Sequence, residues 1–368
     1  MRTGVTILWL ATAWAGFVEA ATVRGLAIVD SGEGAQQFRL ESVEATAAPD
    51  ANGRVRLTGP NTIGLPERVR TASARTARGG TGVIVHVGQR WHRLDMESAD
   101  LAINLALDAL ANGVECDPGV AVTGVLPDAP DDSRVLAVNS LARKIRESVG
   151  GGASLLVVPD ANREDLVDLL VTDGISPWLA QHIFTVSNLE EAKRLVPAPE
   201  SRDGLLNEAL RLFGEVRTVL GARPRLDDLR HQSVLLRLHK VLELEPGHAS
   251  ARMLLAIAEK RTPAHLSLLG SLRLLDSAQA VMKLTDSNGM FQAASALNRQ
   301  RAILSPEVHP VWDALEARLD AKRRLLAGST MELLTKARQA DASFTMRKST
   351  LDLMPEVQAA RARLDREP

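Results

Sequence analysis

Hydrophobic and polar positions divide the chain into two parts. From about residue 22 to 196, short β-branched and aliphatic runs alternate with longer helical patterns. From residue 200 onwards only helical patterns remain, with no credible strand. Mixed strand and helix patterns are typical of a layered α/β or α+β fold. We therefore expect an α+β domain over 22–196, followed by an all-α domain over 200–368.

Turn residues and apolar runs place the individual elements of the first part. Strands are predicted at 25–29, 54–57, 81–87, 120–125, 134–138, 155–158 and 183–186. Helices are predicted at 98–112, 140–149, 162–171 and 187–195, the last opened by a capping box of Ser187 and Glu190. The clearest helix opens at Ser98, carries Asp100 in its first turn and stops at Gly113.

The C-terminal helices carry a weak repeat signal. Residues 238–259 resemble the junction between successive tetratricopeptide-type helices, with a break at 245–247. No regular repeat of about 34 residues extends across 200–368. A non-repetitive helical bundle is therefore the alternative, and both alternatives predict packed antiparallel helices that bind a protein partner rather than perform chemistry.

The N-terminus has the pattern of an export signal. Arg2 precedes an apolar stretch at 5–18, and small residues follow up to Ala20. The stretch is shorter than the ~20 residues that a membrane-spanning helix needs. We expect a signal peptide over 1–20, export to the periplasm or the cell exterior, and no stable membrane span. A buried N-terminal helix and an uncleaved anchor are the alternatives.

Composition excludes several classes of function. The net charge is −1, aromatic residues make up 3% and tyrosine is absent, so neither an electrostatic nor a base-stacking surface for nucleic acid is indicated. Cys116 is the only cysteine, and the histidines lack paired metal-ligand spacing, so we predict no disulfide within the chain and no metal site. The sequence contains neither a P-loop nor a dinucleotide-binding fingerprint, which predicts no cofactor and no ATP hydrolysis by this chain.

Ser98 and Lys144 are the candidates for a catalytic nucleophile and its general base. A serine hydroxyl attacks efficiently only after a base accepts its proton, and a lysine can act as that base when it is removed from water. Lys144 follows an apolar run and has apolar neighbours on its helix. Ser98 stands at a predicted helix N-terminus, where backbone N–H groups can stabilise an oxyanion.

The segments around this pair resemble the proteolytic domain of Lon-type proteases. The resemblance is carried by V-I-V-H-V (83–87), L-D-M-E-S-A-D (94–100), V-A-V-T-G (120–124) and R-V-L-A-V-N-S-L-A-R-K (134–144). The segments at 156–166 and 183–192 read like the end of that domain, so the resemblance covers roughly 22–196. It implies a Lon-like fold and peptide hydrolysis by a serine–lysine dyad.

The resemblance also implies roles for individual residues. Ser98 would be the nucleophile and Lys144 the general base, while Thr123 would hydrogen-bond Lys144 and hold it towards Ser98. His86 and Asp95 would be supporting residues that shape or regulate the site.

The chain departs from the family pattern at three places. Glu97 directly precedes the serine, and Asn139-Ser140 replaces a glycine pair before the lysine. The interval from Ser98 to Lys144 is about three residues longer than usual, and the extra length falls in the loop at 127–133, where insertions are tolerated.

The sequence thus predicts an exported, ATP-independent serine endopeptidase that cuts unstructured polypeptides. Self-association is a further prediction, because Lon-type domains often assemble into rings. The alternative is a catalytically idle Lon-like scaffold whose helical domain binds a partner protein; Asn139-Ser140 favours that alternative.

Overall fold

The structure is a computed structural model. It describes residues 20–30, 36–48, 55–58, 82–87, 98–129, 131–221, 224–280, 295, 298–328 and 330–364. The predicted signal peptide lies outside these residues except for Ala20. Within the described ranges, no helix combines the length and the apolar character needed to cross a bilayer.

Within the described residues, seven strands form one mixed sheet in the order β3-β4-β2-β1-β5-β6-β7. The strands are β1 Ala20–Asp30, β2 Gln36–Ala48, β3 Val55–Thr58, β4 Gly82–Val87, β5 Val120–Val122, β6 Leu155–Pro159 and β7 His182–Val186. β1 pairs antiparallel with β2, and β2 antiparallel with β4. β5, β6 and β7 are parallel to one another, so their carboxyl ends meet at one edge of the sheet.

Helices cover both faces of the sheet and dominate the described residues that follow β7. In the first part they are α1 Asp100–Asn112, α2 Leu141–Gly150, α3 Arg163–Asp173, α4 Ser176–Ala180 and α5 Leu189–Lys193. They continue as α6 Gly204–Leu220, α7 Leu226–Leu229, α8 Gln232–Leu244, α9 Ala249–Ala258 and α10 Leu268–Ala280. The last three are α11 His309–Ala327, α12 Met331–Asp352 and α13 Pro355–Leu364. Short 3-10 turns lie at 160–162, 199–201, 301–303 and 306–308.

Side chains of the parallel strands alternate between two hydrophobic layers. Leu155 and Val157 of β6 pack with α1 on one face, whereas Leu156 and Val158 pack with α2 and α3 on the other. Strands buried on both faces are apolar throughout, which is why 155–158 reads as an uninterrupted hydrophobic run. A third hydrophobic cluster lies among α10, α11, α12 and α13.

The fold class expected from the sequence, α+β followed by helices, is confirmed in this coarse form. α1 ends as predicted, at Gly113 in the left-handed conformation (φ 64°). The predicted strand at 134–138 is wrong: this segment makes only isolated bridges, Val125 with Leu136 and Arg134 with Asn188. The N-cap lies one residue later than predicted, because the side chain of Asn188 accepts the Glu191 N–H. The Glu191 carboxylate accepts the Ser187 N–H.

The helical part attaches directly to the edge strand β7. The Thr185 N–H donates to the Gly247 carbonyl at 2.8 Å, and the Ile183 N–H donates to Ser250 Oγ at 2.9 Å. The hydrophobic layer on this face also runs without a break from β6 into α6, α8 and α9. The segment before α9 therefore satisfies backbone groups that an open sheet edge would expose. The domain division near 196–200 stays a prediction.

A pair of histidines lies at this junction, His182 partly buried and His248 fully buried. His182 Nδ1 and His248 Nε2 are 3.1 Å apart. His248 Nδ1 accepts the Ala251 N–H at 3.1 Å, so Nε2 of His248 carries the proton and donates it to His182. Desolvation, reinforced by Arg217 and Arg202, lowers the pKa of His182 to about 3. Desolvation also holds the pKa of His248 well below its ordinary value. Both imidazoles are therefore neutral in the folded protein at neutral pH.

This pair predicts a loss of stability in mild acid. The unfolded chain binds protons below about pH 6.5, while the folded chain does not until pH falls much further, so the free energy of unfolding decreases as pH falls. Each histidine held neutral costs about 2 kcal/mol between about pH 7.5 and about pH 5. We expect denaturant titrations of His182→Gln to show a smaller acid-induced loss than wild type, whereas the exposed His231→Gln control keeps the full loss. Equal losses in wild type and His182→Gln would refute this assignment.

Candidate active site

Ser98 lies in a 3-10 turn that leads directly into α1. The helix begins at Asp100, with Ala99 as its N-cap, so Ser98 is not the cap that its position in the sequence indicates. Ser98 is 3% exposed, and Ala99 and Leu101 beside it are fully buried. The hydroxyl therefore lies inside the protein, close to the partial positive charge of a helix N-terminus.

Two main-chain hydrogen bonds fix this turn to the carboxyl end of β5. The Gly124 N–H donates to the Ser98 carbonyl at 3.1 Å, and the Leu101 N–H donates to the Gly124 carbonyl at 3.2 Å. A Cβ on Gly124 would lie 2.8 Å from Val135 Cγ1 and 2.9 Å from Leu101 Cδ2. Only glycine allows this close approach, and it brings the Ser98 backbone against the peptide bond that joins Thr123 to Gly124.

Thr123 directly follows β5 and is fully buried. Its N–H donates to the Val157 carbonyl of β6 at 3.0 Å, which holds it at the sheet edge. Among the described residues, its Oγ1 is buried without a hydrogen-bond partner. The hydrogen bond from Thr123 to Lys144 that the resemblance implies is therefore not formed in this structure. A buried hydroxyl without a partner is unfavourable by about 1–3 kcal/mol, so this group calls for a functional explanation.

Lys144 lies in the first turns of α2 and is 0% exposed. Lysine is almost never fully buried in proteins unless its amine is paired. The backbone N–H of Lys144 donates to the Ser140 carbonyl at 3.1 Å. Leu141 and Ile145 on the same helix belong to the hydrophobic layer under the sheet. Burial removes this side chain from bulk water.

The segment before α2 runs alongside the chain that follows Thr123. The Leu136 N–H donates to the Val125 carbonyl at 2.8 Å, so residues preceding Lys144 are anchored to residues following Gly124. The backbones of Ser98 and Gly124 are thus hydrogen-bonded directly, and the bridge between Val125 and Leu136 connects them to the segment that carries Lys144.

Ser140 retains the backbone conformation that a glycine would adopt. Its φ is 54° and its ψ is 32°, in the left-handed region that non-glycine residues rarely occupy. This is the second position of the pair Asn139-Ser140, which replaces two glycines of the Lon pattern. A glycine would adopt this conformation without strain, so Ser140 holds it at the cost of local backbone strain.

Asn162 holds the lysine-bearing segment and was not predicted as a site residue. It is 2% exposed, its Oδ1 accepts the Val138 N–H at 2.8 Å, and its Nδ2 donates to the Val138 carbonyl at 2.8 Å. The sequence signal is the N-x-x-D spacing of Asn162 and Asp165 after an apolar strand, which places both residues at the start of one helix.

Of the two predicted supporting residues, the structure describes only His86. Asp95 lies outside the described residues. His86 lies on β4 opposite Glu44 of β2, and three strand spacings, roughly 14 Å, separate β4 from β5 across the sheet. The supporting roles of both residues stay predictions.

Cys116 has the character of an inert thiol. Burial and the neighbouring carboxylate of Glu115 raise its pKa to about 11. A cysteine reacts as its thiolate, which is scarce at neutral pH when the pKa is this high. The single cysteine is therefore a poor alternative nucleophile.

Open cavities border the elements next to Thr123 and Lys144. A cavity of about 350 Å³ opens at the carboxyl ends of β6 and β7, lined in part by Arg163, Arg194 and Arg252. Another, of about 580 Å³, borders Ser140 at the start of α2. No cluster of three or more potential metal ligands occurs within the part of the chain that the structure describes.

Sequence comparison finds a weak similarity between this chain and a Lon protease. No family model matches the chain. An archaeal Lon protease from Thermococcus kodakarensis is 26% identical to it over 208 residues, which cover 53% of this chain and 31% of the relative. The chain therefore spans about a third of the length of the relative that it matches. This weak similarity suggests a Lon-like relationship and a peptidase activity.

Proposed function

We propose that this protein is a serine endopeptidase in which Ser98 is the nucleophile and Lys144 the general base. The observation that carries the proposal is the complete burial of Lys144 in a segment anchored next to the Thr123–Gly124 peptide. A structural lysine would expose its amine to water. A lysine that must accept a proton is stabilised in its neutral form by such an apolar environment.

The proposed reaction follows the chemistry of acyl transfer. Lys144 accepts the proton of the Ser98 hydroxyl as the oxygen attacks the peptide carbonyl, and it then protonates the departing amine. Water enters and loses a proton to Lys144 as it attacks the acyl carbonyl. Lys144 then returns that proton to the Ser98 oxygen as the acyl group is released. The buried Thr123 hydroxyl orients the amine of Lys144 once substrate binds, which accounts for its having no partner in this structure.

The proposed substrates are unstructured polypeptides. Ser98 and Lys144 are both enclosed, so a substrate must enter as an extended segment while the site opens locally. The proposal includes export and action without ATP, since the sequence carries a signal-like N-terminus and no P-loop. Self-association stays a prediction.

A catalytically idle scaffold is the second candidate. It was favoured by Asn139-Ser140 in place of a glycine pair. The left-handed conformation of Ser140 weakens that argument, because the backbone there adopts a conformation that glycine favours. In the scaffold alternative the C-terminal helices bind a partner protein, and wild-type protein cleaves no unfolded substrate.

The pH profile of casein cleavage tests the role of Lys144. A neutral amine is required, so kcat/KM is expected to rise by up to tenfold per pH unit between about pH 6 and about pH 9.5, until the base is fully deprotonated. Cleavage of fluorescently labelled casein measures this, with Ser98→Ala as the background control. A flat profile above background would argue against a lysine base, and no cleavage by wild type at any pH would favour the scaffold.

A further inference from the structure

The C-terminal helices contact the lysine-bearing segment through a continuous chain of polar groups. It runs from Val138 through Asn162 and Asp165 to Arg273 of α10. Val138 lies six residues before Lys144, whereas Arg273 is far away in sequence and belongs to the helical part. Each link is a hydrogen bond or ion pair between groups that are wholly or largely buried.

The Asn162 side chain holds both backbone polar groups of Val138. One N–H of its amide donates to the Val138 carbonyl, and the other donates to Asp165 Oδ2 at 2.6 Å. A carboxylate can only accept, so Asp165 fixes which end of the amide faces it. The same orientation points Oδ1 at the Val138 N–H, at 2.8 Å. Loss of Asp165 as an acceptor would therefore release the orientation of the whole amide.

Arg273 neutralises the buried carboxylate that fixes this amide. Its guanidinium forms an ion pair with Asp165 Oδ1. Asp168 lies one turn further along α3, and its pKa is raised by burial, with a smaller contribution from the charge of Asp165. The positive charge of Arg273 lowers the pKa of Asp168. Without the guanidinium, two neighbouring carboxylates would be left buried in α3 with no cation between them.

We propose that Arg273 is a positioning residue that holds the Lys144 segment through Asp165 and Asn162, so that the helical part completes the active site. The catalytic part of this statement rests on the proposed function. Misplacing a catalytic group by about 1 Å can lower a rate about 100-fold, so a loosened Val138 would lower kcat rather than substrate affinity.

Other contacts between α3 and the helical part provide matched controls. Arg363 of α13 pairs with Glu164 of α3 at 2.9 Å, but both side chains are about half exposed and neither touches Asn162. Ser267 donates its N–H and its hydroxyl to Asp168, each at 2.7 Å. Arg363→Gln therefore removes the same charge as Arg273→Gln, and Ser267→Ala removes a partly buried hydrogen bond between the same segments.

Hydrogen exchange and kinetics on the full-length chain test the proposal together. In Arg273→Gln we expect the Val138 amide to exchange at least about tenfold faster, and kcat on casein to fall at least about tenfold with KM within about twofold. Arg273→Lys should restore part of the slow Val138 exchange and part of kcat, because lysine retains the positive charge. Arg363→Gln and Ser267→Ala should match wild type in both measurements.

Two results would overturn the proposal. One is unchanged Val138 exchange in Arg273→Gln; the other is an equal change in Arg363→Gln or Ser267→Ala, which would mean a general loosening of the interface. Circular dichroism of each variant identifies global unfolding, and Arg273→Lys then decides the question. If wild type cleaves nothing, the proposed function fails, while Val138 exchange still tests the positioning role of Arg273.

Discussion

Ser98→Ala is expected to lower kcat/KM for casein cleavage at least about 10³-fold, because no other group replaces the attacking oxygen. The substitution removes a single oxygen from a residue that is 3% exposed. The Ser98 carbonyl still accepts the Gly124 N–H, so the turn before α1 keeps its anchor. The midpoint of thermal unfolding of Ser98→Ala should therefore stay close to that of the wild-type protein.

Lys144→Met is the companion substitution and should cause a loss of similar size. Methionine is unbranched and comparable in length, so it fills the buried space without an amine. Replacing a buried ionisable group by an apolar one is often neutral or stabilising, so the loss of activity should not reflect unfolding. The double variant should be little worse than either single variant, since the two residues act as one unit.

A surface lysine provides the control for this pair. Lys193 is partly exposed and pairs with Asp108 and Glu190. Lys193→Met should cleave casein at the wild-type rate, because surface pairs contribute little and this one lies away from Ser98. Cleavage that survives in both Ser98→Ala and Lys144→Met would contradict the dyad.

Gly124→Ala is expected to lower the free energy of unfolding by about 1–3 kcal/mol and to reduce activity as well. The added Cβ would overlap Val135 Cγ1 and Leu101 Cδ2, and would lie 3.2 Å from Leu101 Cβ. Relief of these overlaps moves the turn that carries Ser98 away from β5, because two hydrogen bonds join that turn to Gly124. Denaturant unfolding and casein cleavage measure the two effects.

Gly150→Ala is the matched control for this substitution. Gly150 is the last residue of α2, and a Cβ placed there meets nothing within 4 Å. Alanine favours helix over glycine by up to about 1 kcal/mol, so stability should be unchanged or slightly higher, with activity retained. If Gly124→Ala behaved like Gly150→Ala, the close contact between β5 and the Ser98 turn would be wrong.

Elements with strong local signals could be predicted from the sequence. The helix α1 follows from a long apolar pattern closed by Gly113, and β6 and β7 follow from apolar runs bounded by turn residues. β2 was missed, although it is among the longest strands described. Its apolar residues change phase between Leu40 and Val43, which hides the alternation that identifies a half-buried strand.

The segment at 134–138 shows the opposite error. Its apolar residues predict a strand, but its backbone groups form hydrogen bonds with residues from different parts of the chain. Val135 donates to Ser187, Leu136 donates to Val125, and Asn162 holds Val138. Contacts of this kind depend on tertiary packing, which a local pattern does not contain.

The candidate site was predictable only as a set of residue types in order. Resemblance nominated Ser98, Thr123 and Lys144, and their low exposure is consistent with a shared interior site. The anchoring of the Ser98 turn by Gly124 and the link from Asn162 to Arg273 could not be predicted. Both depend on contacts between residues that are distant in sequence.

Covalent labelling of Ser98 tests the central claim most directly. Wild-type protein is treated with a fluorophosphonate, which reacts with activated serines, and the modified residue is located by peptide mass spectrometry. The dyad predicts one dominant adduct on Ser98, absent from Ser98→Ala and formed at least about 100-fold more slowly in Lys144→Met. An unlabelled Ser98 in wild type, or equal labelling rates in wild type and Lys144→Met, would contradict it.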